Sequence, residues 1–204
     1  MQAETKIHKS HEEEINLGWK NTIPRWKAGS VIKWAVATEF FESDEDASYA
    51  EDKLLKATNA WNDMGLGVSF KLVDDADSAV FTLQYNGDNG GTLADAFFPN
   101  SKSSNHLYIY SRALEDDAKQ YLENVFLHEL GHILGLRHEF PAEEGDFVLF
   151  GGDNKSSVMK YDWPPQISNE DIREAQEFYA WTEAEISTSV NSYRIVDQVP
   201  RGGN

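Results

Sequence analysis

The spacing of apolar residues changes from segment to segment along the chain. Over residues 31–38 both alternating sets hold apolar side chains: Val31, Ala35 and Ala37 in one, Ile32, Trp34 and Val36 in the other. That pattern predicts a strand buried on both faces. Over residues 44–64 the period lengthens. Ala50, Leu54, Ala57, Trp61 and Met64 form one apolar stripe of a helix, which Gly65 and Gly67 end. Residues 68–72 and 79–85 predict short strands on either side of the acidic turn VDDADS. A glycine cluster then marks a loop, 92–98 a strand closed by Pro99, and 107–110 another strand. Residues 116–134 predict a helix with Leu122, Val125, Phe126, Leu130 and Ile133 toward the core and two acids at its start. Ser168 and Asp171 predict a capping box opening a last helix, whose stripe is Ile172, Ala175, Phe178 and Tyr179. The order strand, helix, strand, strand predicts an α/β (α+β) layer of helices behind a mixed sheet.

The two ends read differently. Residues 1–22 are polar and mixed in charge, and are expected as a loosely docked arm or the remnant of a pro-segment. Residues 23–182 are expected as one domain. Residues 183–204 are expected as a polar tail, disordered at RGGN.

At 204 residues with 40% hydrophobic content, the chain can bury one sizeable core. No run is long and apolar enough to span a bilayer. The first residues lack the apolar core of a signal peptide; a processed or engineered form, or a protein made without such a signal, is expected. A net charge of −17 argues against nucleic acid and anionic membranes as partners, and a monomer is expected. There are no cysteines, which excludes disulfides and any thiolate that could silence a metal, but leaves the compartment open.

The chemistry lies in HELGHILGLRH, residues 128–138. His128 and His132 stand four apart, so on a helix they share one face and can reach one ion. Gly135 can end the helix and turn the chain sharply, which lets His138 approach from another direction. Three neutral nitrogens at roughly 2.0–2.1 Å leave the fourth tetrahedral position of zinc to water, as in a catalytic site. Glu129 cannot comfortably join those ligands, but it can reach that water. It is the expected general base for attack on a peptide carbonyl. The same residues in a non-proteolytic zinc protein, such as a peptide-binding module or an amidase, are the alternative; Glu129 favours hydrolysis.

This pattern, followed by Met159 in SVMKY, resembles the metzincin zinc peptidases. The resemblance implies a metzincin zincin fold: a mixed twisted sheet with an antiparallel edge strand over the cleft, an active-site helix and a C-terminal helix. It implies one catalytic zinc on His128, His132 and His138, with Met159 packed beneath as the methionine turn. It also implies an extracellular setting and a peptide or protein substrate. Tyr161, two residues after Met159, is placed as in astacins and serralysins, where the tyrosine is a fifth ligand or stabilises the oxyanion. RWKAGSVIKW, GGTLADAFFP and ISNEDIREAQEFY resemble matrixin segments. The second implies that backbone groups of Leu93 and Ala94 pair with an extended peptide. By the same likeness Trp163 walls the specificity pocket or caps the core. Matrixins carry a histidine where this chain has Asp95, so His106 is left without that partner and a second, structural zinc is not expected. Asp88 and Asn89 offer hard oxygens of the kind calcium takes, as acidic loops commonly do.

Overall fold

The computed structural model describes residues 2–6, 16–17, 22–102, 104–138, 148–149, 156–160, 162–181 and 194–201. The chain opens with β1 (Gln2–Lys6), β2 (Asn16–Leu17), β3 (Thr22–Trp26) and β4 (Val31–Val36), followed by helix α1 (Asp44–Asp63). Then come β5 (Ser69–Leu72), β6 (Phe81–Tyr85), β7 (Thr92–Phe97) and β8 (Asn105–Ile109). Helices α2 (Asp116–Lys119) and α3 (Leu122–Ile133) precede β9 (Leu136–Arg137) and β10 (Val148–Leu149); α4 (Asn169–Ala180) and β11 (Arg194–Gln198) close the order.

The main sheet runs β1-β7-β8-β6-β4-β5. β5, β4, β6 and β8 are parallel, whereas β7 lies antiparallel to β8 and β1 antiparallel to β7. This is the mixed sheet with an antiparallel strand at one side that the zincin resemblance implies. In β4, Ile32, Trp34 and Ala35 are buried, in keeping with apolar residues on both of its faces. Trp34 stacks on Phe81 across the strand pair, and Phe81 meets Phe97.

Helix α1 forms where the stripe predicts it. Ser43 caps it by accepting from the Asp46 N–H, three acids stand in its first turn, and Ala50, Leu54, Ala57 and Trp61 are buried. Acids there complement the positive end of the helix dipole. Gly65, at φ +67°, turns the chain out of the helix. Asn62 then reaches over to β5, where its side chain both donates to the Phe70 carbonyl and accepts from the Phe70 N–H. Among the described residues, no helix is long and apolar enough to cross a membrane.

Several elements differ from the sequence reading. The helix expected over 116–134 is two helices, because Tyr121 leaves helical geometry at φ −101°, ψ 10°. Its ring packs instead edge-on against Trp163, 5.4 Å between centroids. The strand expected from 79 starts at Phe81, after a 3-10 turn at Ala76–Ser78 that Asp75 caps. Within the expected arm, Gln2–Lys6 and Asn16–Leu17 are strands. Within the expected tail, Arg194–Gln198 pairs in parallel with β3. Residues 202–204, at the end of RGGN, lie outside the described residues.

The β3–β11 pair is fastened by side chains. Arg25 donates from Nε to Asp197 at 2.8 Å and from Nη1 to the carbonyls of Phe178 (2.7 Å) and Tyr179 (3.3 Å) at the end of α4. One guanidinium thus joins both ends of the chain to α4.

Candidate metal centre and cleft

Helix α3 puts His128 and His132 one turn apart, both buried. It stops at Leu134, and Gly135 takes φ +103°. There the Gly135 N–H still donates to the His132 carbonyl at 2.9 Å. The turn sends β9 back past the helix end and delivers His138, half-buried, to the same point. Two neutral donors serve the carbonyls left over at the helix end: Trp26 Nε1 donates to Ile133 O (2.7 Å) and the Tyr179 hydroxyl to Leu134 O (2.9 Å).

The tautomers follow from the hydrogen bonds. His128 Nδ1 lies 2.7 Å from the Val158 carbonyl and His132 Nδ1 lies 2.8 Å from the Leu136 carbonyl. A carbonyl only accepts, so both Nδ1 atoms carry the proton and both Nε2 atoms present lone pairs. The three Nε2 atoms of His128, His132 and His138 stand 3.0–3.1 Å from one another. Lone pairs this close repel unless a cation lies among them. Two nitrogens at tetrahedral angles on one zinc stand roughly 3.3 Å apart, close to the observed spacing. Burial pushes the His128 pKa down to about 4, against its Val158 hydrogen bond, and pushes His132 and His138 well below the usual imidazole range. All three rings are therefore neutral near neutral pH, as ligands must be. Among the described residues they are the one group of three metal-ligating side chains close enough to share an ion.

Glu129, between the two helical histidines, is fully buried. Met159 is also fully buried and lies against the helix; a Cβ on Gly131 would stand 2.3 Å from its Sδ, so any larger residue there would make the methionine shift. Tyr161 lies outside the described residues. Phe98 sets its ring edge-on to His132 at 5.4 Å, with the Arg137 guanidinium 6.0 Å above it.

The sequence reading gave Asp171 only a capping role. Its Oδ2 does accept from the Ser168 N–H at 2.7 Å, completing the box. The same oxygen accepts from the Val158 N–H at 3.1 Å, and the Val158 carbonyl orients His128. One fully buried carboxylate thus holds the residue whose carbonyl aims His128, a candidate metal ligand. Asp171→Ala leaves two amides without their acceptor, and an expected stability cost of about 3 kcal/mol follows at 1–3 kcal/mol each. Zinc affinity is expected to fall about tenfold or more, as for other outer-shell partners. Urea unfolding and a competitive chelator titration measure the two; no change in either removes Asp171 from this role.

Strand β7 packs against α3, the helix of this centre. Leu93 turns its carbonyl inward to the Tyr110 N–H at 3.0 Å, so by strand alternation Ala94 and Ala96 turn their backbone groups outward. Trp163 is half-buried against Tyr121, and Asn124 of α3 donates to the Pro165 carbonyl at 2.8 Å. Asp95 is buried and accepts from the Tyr110 hydroxyl, while His106 Nδ1 lies 2.9 Å from the Thr82 hydroxyl. Asp88 accepts from the Gly90 N–H at 2.9 Å.

The sequence model of the matrixin peptidase family matches residues 25–180. Human stromelysin-3 is 28% identical over 138 residues, covering 62% of this chain and 26% of its own length. The chain thus spans about a quarter of that relative.

Proposed function

Since the chain belongs to the matrixin family of peptidases, we propose that it is a zinc-dependent endopeptidase with Glu129 as its general base. The observation that carries the reading is the convergence of three Nε2 atoms within 3.1 Å of one another. His128, His132 and His138 would hold the ion. Zinc bound there supplies acidification of water and polarisation of a carbonyl.

The remaining steps belong to the chain. The Glu129 carboxylate takes a proton from water as its oxygen bonds to the peptide carbonyl carbon. It then gives that proton to the amine nitrogen as the C–N bond breaks. The outward backbone of β7, at Ala94 and on to Ala96, holds an extended peptide by strand addition, whereas Leu93, expected from the sequence to share that role, spends its carbonyl on the Tyr110 N–H. Trp163, braced by Tyr121, walls the side-chain pocket.

One tightly held zinc per chain is expected on metal analysis, with internal cleavage of a mixed peptide library. A chelator should abolish cleavage, and one equivalent of zinc should restore it. A zinc-loaded protein that cleaves no peptide would leave a zinc-dependent binding module.

A further inference from the structure

Two tryptophans donate to the backbone of α3 on either side of its metal-binding turn. Trp61, in the last turn of α1, donates from Nε1 to the Leu127 carbonyl at 3.0 Å. Trp26, on β3, donates from Nε1 to the Ile133 carbonyl at 2.7 Å. Leu127 stands directly before His128, and Ile133 directly after His132. One indole N–H thus brackets each end of HELGH, and both rings are fully buried. The Ile133 carbonyl lies in the last turn of the helix, beyond the reach of helical N–H groups. The Leu127 carbonyl does not. By helical spacing it faces the Gly131 N–H, so the indole is a second donor there and fixes place rather than filling a vacancy. The Trp61 ring also lies against Gly131, with its Cζ2 3.7 Å from where a Cβ would stand.

We propose that Trp61 and Trp26 are positioning residues for the metal centre. Their indole N–H groups fix the roll of α3 about its axis, and so set His128 and His132 against His138. Six residues separate the two carbonyls, which puts them about 120° apart around the helix. The donors come from two sides, α1 and β3, so a roll in either sense draws a carbonyl off its donor. An imidazole tip stands about 5–6 Å from the axis, so a roll of about 10° moves Nε2 by about 1 Å. His138 arrives after the turn at Gly135 and would be left behind. A misplacement of about 1 Å can cost about 10²-fold in rate. That the ion is zinc and the reaction peptide cleavage rests on the reading above; the bracket itself does not.

Trp34 supplies an internal control. It is as deeply buried as the other two, and its Nε1 has no hydrogen-bond partner among the described residues. Benzothienylalanine keeps the shape of the indole and replaces its N–H with sulfur, whereas phenylalanine would mix loss of the donor with a cavity. The test places it singly at 26, 34 and 61 in the full chain, with urea unfolding of each variant to keep lost geometry distinct from lost fold. Chelator competition reads zinc affinity, and the visible spectrum of the cobalt form reads ligand geometry; neither needs turnover. At 61 and at 26, zinc affinity should fall about tenfold or more, as for other outer-shell partners, and the cobalt bands should change. There kcat should fall about tenfold or more with KM within about twofold, because the groups that touch the peptide stay in place. At 34, affinity and spectrum should match the unmodified protein. Unchanged affinity and spectrum at either 61 or 26, or an equal fall at 34, overturns the proposal. If affinity and spectrum change as expected and no form cleaves any peptide, the indoles hold the ligands and it is the peptidase reading that fails.

Discussion

Glu129→Ala is expected to lower kcat by about 10²–10⁴-fold, the usual contribution of a positioned general base. That range corresponds to roughly 3–5 kcal/mol of transition-state stabilisation. The zinc content should not change, because Glu129 is not among the three side chains whose nitrogens converge. KM should change little, because the carboxylate meets the reacting water and not the body of the peptide. Steady-state kinetics with metal analysis on the same sample separates the outcomes. Near-normal turnover in a zinc-loaded variant would exclude Glu129 as the base. Loss of zinc would mean that the buried carboxylate also secures the ion.

The second large effect is expected at Gly135. Its φ of +103° disfavours any other residue, and a Cβ there would meet the Pro24 carbonyl oxygen at 2.5 Å. That oxygen is backbone and cannot swing aside as a side chain would. Strain of about 1–3 kcal/mol in the backbone adds to a similar overpacking cost. Gly135→Ala is therefore expected to destabilise the fold by about 3–5 kcal/mol, read from denaturant unfolding. The turn also places Leu136, whose carbonyl orients His132, and then His138. Zinc affinity should fall with stability; a variant of native stability and affinity would show that the turn can relax without moving the ligands.

The three-histidine cluster was legible because metal-binding chemistry depends on spacing. HELGH on one helix face, a glycine and a third histidine leave few other readings, and the structure brings the three nitrogens together. Helix α1 was legible because its burial depends on period, and its predicted stripe is the buried face. What escaped depends on backbone pairing between distant segments. QAETK has no apolar alternation, and β1 forms because β7 offers unpaired groups, which the residues of β1 do not announce. The same holds for RIVDQ against TIPRW. Asp171 shows the intermediate case: its bond to Ser168 is local and was read, whereas its bond to Val158 needs the methionine turn to arrive from elsewhere in the fold. The break at Tyr121 was hidden for a like reason, since an aromatic partner in the following loop decides it.

The fastening of β11 to β3 bears on where the functional unit ends. From Asp197 a chain of contacts runs through Arg25 to the carbonyls of Phe178 and Tyr179, and the Tyr179 hydroxyl holds Leu134, next to the turn at Gly135. The family match stops at residue 180, but this line of support does not. A chain cut at the family boundary would keep every ligand and lose the residue that anchors Arg25 from outside. The heritable unit of recognition and the mechanical unit of the metal site are thus different lengths of the same chain, and the longer one runs from β3 through β11.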